Sequence, residues 1–533
     1  SDRTVSMSRK APAFVVGIDL GTSSCKVGIF DHGGGQQGFG QAAYSIVRGP
    51  DGQAEQRPDD WWQSVCQAVR LALQSGHVPG DGVAAVGLSG QVGTHLLLDR
   101  EGQPVRPALS WQDTRARSEA TALHQRIGRE RLASALGIDL PPGPAWPLPR
   151  LLWLRRHAPQ HLAQTWRILQ VKDFVAFRLT GELATDSSSW RGLVRLPGSE
   201  VAADLLQELD LPLDLLPPRQ LPCATIGGVS QTAAEACGLA AGTPVVTGWN
   251  DLNCGLLGTG VVRPAMGFDI GGTSEHLGVA LSADTPLQPA DNLMLAPYLS
   301  EDRHGAARVC YGVTSASGGA LDWYANQFVT DLLKSHGLSL PPDSHARLEA
   351  IAASAPPGAA GLVFLPYIHG ERAPIWDAAA RGVFFGISST HRHRHFVRAV
   401  LEGVAFSLRQ VLQVVETAIG APVDRVYASG GPAGLPLWNQ IKANVLNRPL
   451  VIPRVTHAAC LGAAMLAAIG SGWYADAVQA AEAMVHIAQQ VEPDTRYAAR
   501  YDALFSLYAS LYPQLRTAYA RLAAISANEG FSE

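Results

Sequence analysis

The chain predicts an α/β protein of two similarly built lobes, and three observations carry that expectation. At 533 residues it is too long for one hydrophobic core to serve economically. A thirteen-residue pattern occurs twice, opening at Gly17 and again at Gly267, 250 residues apart. Between the copies, short apolar runs that end in glycine alternate with longer stretches of helical periodicity, as strands and helices do in α/β folds.

The repeat comes first. Gly17-Ile18-Asp19-Leu20-Gly21-Thr22-Ser23-Ser24-Cys25-Lys26-Val27-Gly28-Ile29 returns as Gly267-Phe268-Asp269-Ile270-Gly271-Gly272-Thr273-Ser274-Glu275-His276-Leu277-Gly278-Val279. Each copy reads as strand, small polar turn, strand, which is a β-hairpin. In the first lobe, Pro58 starts a helix over residues 59–73 whose Trp61, Val65, Val69 and Leu73 share one face with Trp62 beside them. Residues 83–89 read as a strand ending at Gly90-Gln91, with residues 96–99 as its partner. Proline-dense residues 141–149 predict a loop, residues 150–157 a helix, and residues 212–222 a connector. The junction falls at residues 260–264, so the expected domains are a flexible leader at 1–12, a first lobe at 13–262 and a second at 263–533. In the second lobe, residues 363–366 read as a buried strand. Residues 390–416 read as one long helix capped by Ser389 or Thr390, with Phe396, Val400, Val404, Leu408, Leu412 and Val415 on one face. Residues 426–429 form a strand ending at Gly430-Gly431, followed by helices over 437–446 and 459–469 and a helical tail to 524.

Composition excludes several classes of function. Hydrophobic residues make up 47% and charged ones 17%, which suits a folded globular chain rather than a disordered one. A net charge of −4 without long runs of one sign argues against a nucleic-acid groove or an anionic membrane surface. No apolar run is long enough to span a bilayer, and the opening residues lack a secretory pattern, so a cytoplasmic location is expected. The seven cysteines are scattered singly, without a C-x-x-C pair, so neither a zinc ribbon nor a redox dithiol is expected. Cys254, close to the expected active site, reads as a packed small residue. His391, His393 and His395 alternate along the start of a helix, where residues two apart point away from one another and suit no shared ion.

The two hairpin turns suit phosphate. Glycines let backbone approach an anion, turn N–H groups supply donors, and Thr22, Ser23, Thr273 and Ser274 add hydroxyls. Asp19 cannot bind phosphate itself, but its carboxylate can hold a hydrated Mg²⁺ that bridges phosphate oxygens. Neither copy spells a Walker loop or a dinucleotide-binding fingerprint. Two copies at lobe-sized spacing would place the turns facing one another. Asp251, in Thr247-Gly248-Trp249-Asn250-Asp251, stands where a helix begins. There a carboxylate is held as an anion, able to accept a proton or serve as a cap.

With these motifs the sequence resembles the FGGY carbohydrate kinases, a branch of the actin and hexokinase superfamily. Further segments carry the resemblance: Gly87-Leu88-Ser89-Gly90-Gln91, Trp111-Gln112-Asp113-Thr114-Arg115, Lys172-Asp173-Phe174, the run from Leu179 to Asp186, Gly370-Glu371-Arg372-Ala373-Pro374 and Gly430-Gly431. The resemblance implies two actin-like, ribonuclease H-like lobes with a central cleft, ATP and Mg²⁺ as cofactors, and a small sugar or polyol as acceptor. It also implies Asp251 as the general base. It places the acceptor near Gly90, Gln91, Val92, Trp111, Asp113, Asp251 and Leu252, with Arg115 beside them. Nucleotide contacts are expected at Gly21, Thr22, Ser23, Lys26, Gly272, Thr273, Ser274, Gly318, Gly430, Gly431, Ala433 and Asn439, with the metal at Asp19. Glu371, Arg372 and Asp377 read as a structural ion network. In the xylulokinase subfamily a Met-His pair follows the glutamine and an Asn follows the base; this chain has Val92-Gly93 and Leu252. Pro432 and Gly434 likewise depart from the family pattern in the adenine region. The expectation is a kinase with a broad polyol range or a preferred acceptor other than xylulose. A nucleotide-dependent sensor with little turnover is the alternative, and homodimerisation is left open.

Overall fold

The computed structural model describes residues 12–137, 141–196, 198, 200–290, 292–299, 304–335 and 339–529; nearly all of the expected leader lies outside these residues. The chain divides into two compact units. One holds residues up to Gly260 together with Ala296–Tyr298 and His457–Val485, and the other holds Val261–Leu295, Leu299–Thr456 and His486–Glu533.

The first unit is built on a mixed sheet. Its strands run in the order Thr225–Gly228, Pro244–Val246, Val83–Gly90, Phe14–Leu20, Ser24–Phe30, Gln36–Ala43, and Trp249–Asn250 also pairs with Val83–Gly90. The opening hairpin is antiparallel, with Asp19 opposite Lys26. Strand Phe14–Leu20 then runs parallel to Val83–Gly90. Helix Pro58–Gly76 buries Trp61, Val65, Val69 and Leu73 against this sheet, as its periodicity predicts. Leu96–Leu98 does not pair with Val83–Gly90, contrary to expectation. It joins Arg167–Leu169 in a separate two-stranded sheet, because the intervening residues 91–95 turn the chain out of the parallel array.

A second correction concerns the chain's return. Residues 457–485 read as part of the second lobe, yet they belong to the first unit. Helix Ala458–Gly470 lies on the first sheet with almost no side chains intervening. A Cβ on Gly17 would come within 1.8 Å of the Cys460 carbonyl oxygen, and one on Gly87 within 1.8 Å of that of Ala463. Only glycine permits such backbone approach. The following residues hold to the same unit: Trp473 stacks on His32 with ring centroids 3.6 Å apart, and the Tyr474 hydroxyl donates to the His32 carbonyl.

The second unit repeats the plan. Strands Arg308–Thr314, Glu275–Leu281, Gly267–Gly271, Val426–Gly430, Leu450–Pro453 and Ile487–Val491 lie in that order. The second hairpin has the same antiparallel register, and Gly267–Gly271 runs parallel to Val426–Gly430 as its counterpart in the first unit does to Val83–Gly90. The long helix runs His393–Ile419, three residues later at each end than expected, with Arg392 rather than Ser389 or Thr390 at its start. Its expected face is buried, Phe396 only partly, in the two apolar clusters of this unit. Among the described residues no helix is long and apolar enough to cross a membrane.

Candidate active site

In the first unit three parallel strands end side by side. Leu20 pairs with Gly90, and Gly90 pairs with Asn250. With neighbouring strands ~4.8 Å apart, the residues that leave these ends, Gly21, Gln91 and Asp251, begin within roughly 10 Å of one another. Such carboxyl ends are where open α/β sheets gather ligands.

Asp251 is the first residue of helix Asp251–Thr259, and it is not the cap. Asn250 caps the helix, its Oδ1 accepting from the Asn253 N–H at 2.8 Å. The Asp251 carboxylate accepts from the Leu252 N–H at 2.8 Å through Oδ1. Its carboxyl is pushed up to about 7, first by the protein packed around it and then by the negative Asp19, against the pull of backbone N–H groups and Arg191. The side chain itself is open to solvent. Water at that surface screens the effect, so the upward direction carries the argument. Asp19 is half-buried, with Oδ1 accepting from Ser89 Oγ at 2.7 Å. Burial raises its pKa, while the Ser89 hydrogen bond and Lys26 draw it back. Among the described residues no group of three His, Cys, Asp or Glu could cage an ion. Mg²⁺ needs no such cage, since it takes one or two carboxylates together with phosphate oxygens and water. The Asp19 carboxylate fits an ion that arrives with a nucleotide.

The first hairpin turn is braced from several sides. Gly21 N–H donates to the Ser24 carbonyl at 3.1 Å, and Tyr44 N–H donates to that of Ser23 at 3.0 Å. Gln56 Nε2 donates to the Thr22 carbonyl at 2.8 Å, and Trp111 Nε1 donates to Thr22 Oγ1 at 3.0 Å. Gln91 Nε2 donates to Gln56 Oε1 at 3.0 Å, leaving the buried Gln91 Oε1 with no partner among the described residues. Trp111 is 43% exposed, which settles it as a surface-facing ring and not a core residue. Val92 and Leu252 are half-buried beside these strand ends.

Asp113 corrects an expectation. It is 3% exposed. Both its oxygens are taken, by Arg115 Nε at 3.0 and 3.1 Å, Arg115 Nη2 at 2.6 Å and the Ala54 N–H at 3.0 Å. The acid and the arginine two residues on satisfy each other and Glu55, so the carboxylate holds the scaffold together instead of facing a ligand.

The second unit presents the matching turn with different chemistry. Gly272 and Thr273 are exposed and Ser274 half-buried. Asp269, the counterpart of Asp19, is buried and paired with Lys442 Nζ at 2.8 Å, and Lys442 also donates to Glu275. The start of helix Gly318–Phe328 closes on the turn: Gly318 N–H donates to the Gly272 carbonyl at 2.9 Å, and Ser317 N–H to that of Thr273 at 2.9 Å. Gly318 therefore contributes close packing and not a free N–H donor, a second correction. Gly430 abuts the paired strand, where a Cβ would lie 1.8 Å from the Gly271 carbonyl oxygen, whereas Gly431 is open. Pro432 packs under Gly271, with its Cγ 2.9 Å from where a Cβ there would be. Asn439 Nδ2 donates to the Ala433 carbonyl at 2.8 Å, and two buried oxygens here, Asn439 Oδ1 and Ser317 Oγ, have no partner among the described residues. Gln56 and Tyr44 were not singled out from the sequence. Gln56 carries a signal only in following an acidic residue ahead of Pro58, and Tyr44 carries none.

The remaining features fall outside the site. Cys254 is buried with its thiol pushed well above the ordinary range by burial, consistent with a packed residue. His391 and His395 bond backbone or side-chain groups of their own turn through Nδ1, and His393 stacks on Tyr324. Glu371 accepts from the Ser315 and Arg372 N–H groups, a structural tie.

The N-terminal domain of the FGGY family of carbohydrate kinases matches residues 14–258, and the C-terminal domain of that family matches residues 270–471. The chain belongs to the FGGY family of carbohydrate kinases. It is 30% identical to the xylulose kinase of Bacillus subtilis over 503 residues, covering 94% of this chain and 96% of that one. It is also 30% identical to the autoinducer-2 kinase of Salmonella choleraesuis over 515 residues, covering 94% of each. The gluconate kinase of Lactobacillus acidophilus shares its fold, with a TM-score of 0.83 at 24% identity over 96% of this chain and 99% of that one. This FGGY kinase accordingly has the actin-like two-lobe architecture. It is a carbohydrate kinase, and kinase membership implies ATP as phosphoryl donor and a small sugar as acceptor.

Proposed function

We propose that this kinase transfers the ATP γ-phosphoryl group to a hydroxyl of a small ketopentose-like sugar or related polyol, with Asp251 as the general base. One observation carries this reading: Asp251 leaves the strand ends beside Asp19, is not used as a cap, and has its carboxyl pushed up towards neutrality. Efficient proton abstraction wants a pKa close to the working pH. With Oδ1 tied to the Leu252 N–H, Oδ2 is the oxygen that takes the sugar hydroxyl's proton as the oxygen attacks. Asp19 would hold Mg²⁺, which would supply charge neutralisation on the phosphates. The polar turn Gly21-Thr22-Ser23 with Lys26 positions phosphate. In the second unit, Gly272-Thr273-Ser274 and the unpaired Ser317 Oγ do likewise. Gly430, Gly431, Ala433 and Asn439 receive the adenosine, for which Asn439 Oδ1 is a ready acceptor.

The acceptor stacks on the exposed Trp111 ring and meets Gln91, whose unpaired Oε1 suits a sugar hydroxyl donor. Val92 and Leu252 offer no hydrogen bond. A site discriminates strongly only where it has polar groups that a wrong ligand would leave unpaired. The preferred acceptor therefore presents a less polar group there, or the range is broad. The quoted relatives are kinases named for two different compounds, xylulose and autoinducer-2, which supports leaving the acceptor open beyond xylulose; nothing in the comparisons favours a sensor without turnover. A panel of ketoses, aldoses and polyols assayed for ADP release tests the reading. The expected result is sugar-dependent turnover lost by about 10²–10⁴-fold in Asp251→Asn. A preference for D-xylulose above about a hundredfold over every other polyol would refute the acceptor argument.

A further inference from the structure

Two segments that mark the family have no part in the site described above: Lys172-Asp173 and the run ending in Thr185-Asp186. The structure brings them together in the interior of the first unit. Lys172 Nζ, 1% exposed, lies 2.7 Å from Asp173 Oδ1 and 2.9 Å from Asp186 Oδ1. Asp186 accepts in turn from Ser188 Oγ at 2.6 Å, from the Ser189 N–H at 3.0 Å and from Ser189 Oγ at 2.6 Å. Asp173 accepts from Thr185 Oγ1 at 2.7 Å. The cluster is a buried cation between two carboxylates, each with further hydrogen bonds, the condition under which such charges hold a fixed geometry.

Ser188 carries that geometry outward. Its hydroxyl has one proton to give and two lone pairs to fill. The proton goes to Asp186, and the lone pairs take Trp249 Nε1 at 2.7 Å and Asn250 Nδ2 at 3.3 Å. The hydroxyl is saturated, and it decides which way the Asn250 amide faces. With Nδ2 drawn to Ser188, Oδ1 is left towards the Asn253 N–H, the bond that caps the Asp251 helix. We propose that Ser188 is a positioning residue for phosphoryl transfer, linking the Lys172–Asp173–Asp186 cluster to the Asn250 cap and so setting where the Asp251 carboxylate stands. The proposal rests on Asp251 being the base.

A misplacement of ~1 Å at a reacting group can cost ~10²-fold in rate. Ser188→Ala removes the link and one hydrogen bond to Asp186, while the Lys172 ion pairs and the two Ser189 bonds to Asp186 remain. It is expected to lower kcat about tenfold, with the KM for sugar and ATP within about twofold of wild type and the melting temperature little changed. Ser188→Thr, which keeps the hydroxyl, restores most of the loss. Trp249→Phe removes the other donor that holds Ser188 Oγ in place and lowers kcat about threefold. The deciding measurement is a double-mutant cycle with Asp251→Asn, the residual rate being read by mass spectrometry of the phosphorylated product. If Ser188 acts through the base, Ser188→Ala costs nothing further once the base is gone. A tenfold loss that persists in the Asp251→Asn background, or a wild-type kcat in Ser188→Ala, overturns the proposal and leaves the base assignment standing. A wild-type rate in Asp251→Asn overturns both.

Discussion

Gly462→Ala is a small change at the closest helix crossing of the first unit. A Cβ there would sit 1.9 Å from the Cys254 carbonyl oxygen and 2.9 Å from the Cys254 Cα, and the reciprocal Gly258 would meet the Ala458 carbonyl oxygen at 1.9 Å. Backbone lies on both sides, so no side chain can swing away. Restoring an ordinary contact of ~3.4 Å requires the helices Asp251–Thr259 and Ala458–Gly470 to part by ~1.5 Å. Overpacking of this kind costs about 1–3 kcal/mol, and a rigid contact falls at the top of that range. For a unit of this size ~3 kcal/mol lowers the melting temperature by about 6–12 °C. Cys254 is one turn from Asp251, so the same displacement moves the base. At ~10²-fold per ångström, a shift of ~1.5 Å at the base lowers kcat in the folded variant by about 10³-fold. The assay pairs thermal melting with ADP release below the melting range. Gly33→Ala, whose Cβ meets nothing nearer than 3.5 Å, is the control. A melting temperature within 2 °C of wild type together with unchanged kcat would refute the packing argument.

The raised Asp251 carboxyl has two further consequences. The rate must climb as the base ionises, so kcat/KM should rise about tenfold per pH unit below about 7 and level off above it; a flat profile from pH 5.5 to 8 speaks against the assignment. For stability the sign is opposite: a carboxyl with a folded pKa above its unfolded one binds more protons when folded, so its contribution falls as pH rises from about 4 to about 7. Asp251→Asn should therefore match wild type near pH 4 and exceed it at pH 8, by only ~1 kcal/mol because water screens the group. Urea melts at the two pH values check this, and an Asn variant less stable at pH 8 contradicts it. Trp111→Phe keeps an aromatic face and removes the N–H that holds Thr22 Oγ1. It should leave the sugar KM within about threefold while raising the KM for ATP several-fold; the reverse pattern would place Trp111 solely with the sugar.

The features readable from sequence are those made by neighbours along the chain. The hairpins at Gly17 and Gly267 declare themselves because a small polar turn between apolar strands has few other folds open to it. Helix Pro58–Gly76 follows from proline at its start and a single apolar face. At the site, a carboxylate at a helix start was visible, but Asn250 and Asp251 are both good cap residues. Asn250 became the cap because it is still held in the strand that pairs with Gly90, which leaves Asp251 as the first helical residue. Asp113 looked equally suited to a sugar hydroxyl until Arg115 and Ala54 were found to occupy it.

Composition, repeat and periodicity thus led to an α/β scaffold with paired small polar turns and a carboxylate at a helix start, because each depends on residues a few positions apart; the kinase activity was implied by the family resemblance. The return of His457–Val485 to the first unit was decided only by tertiary structure. Ala458, Cys460, Gly462, Ala463 and Ala464 form an apolar helix that would suit either unit. Its place comes from matching glycines at 17, 87 and 258, hundreds of residues away, which let backbone meet backbone. The same holds for Asp19 and Asp269: identical by local pattern, one stays half-exposed and the other is neutralised by Lys442, since a distant helix delivers a cation to only one of them.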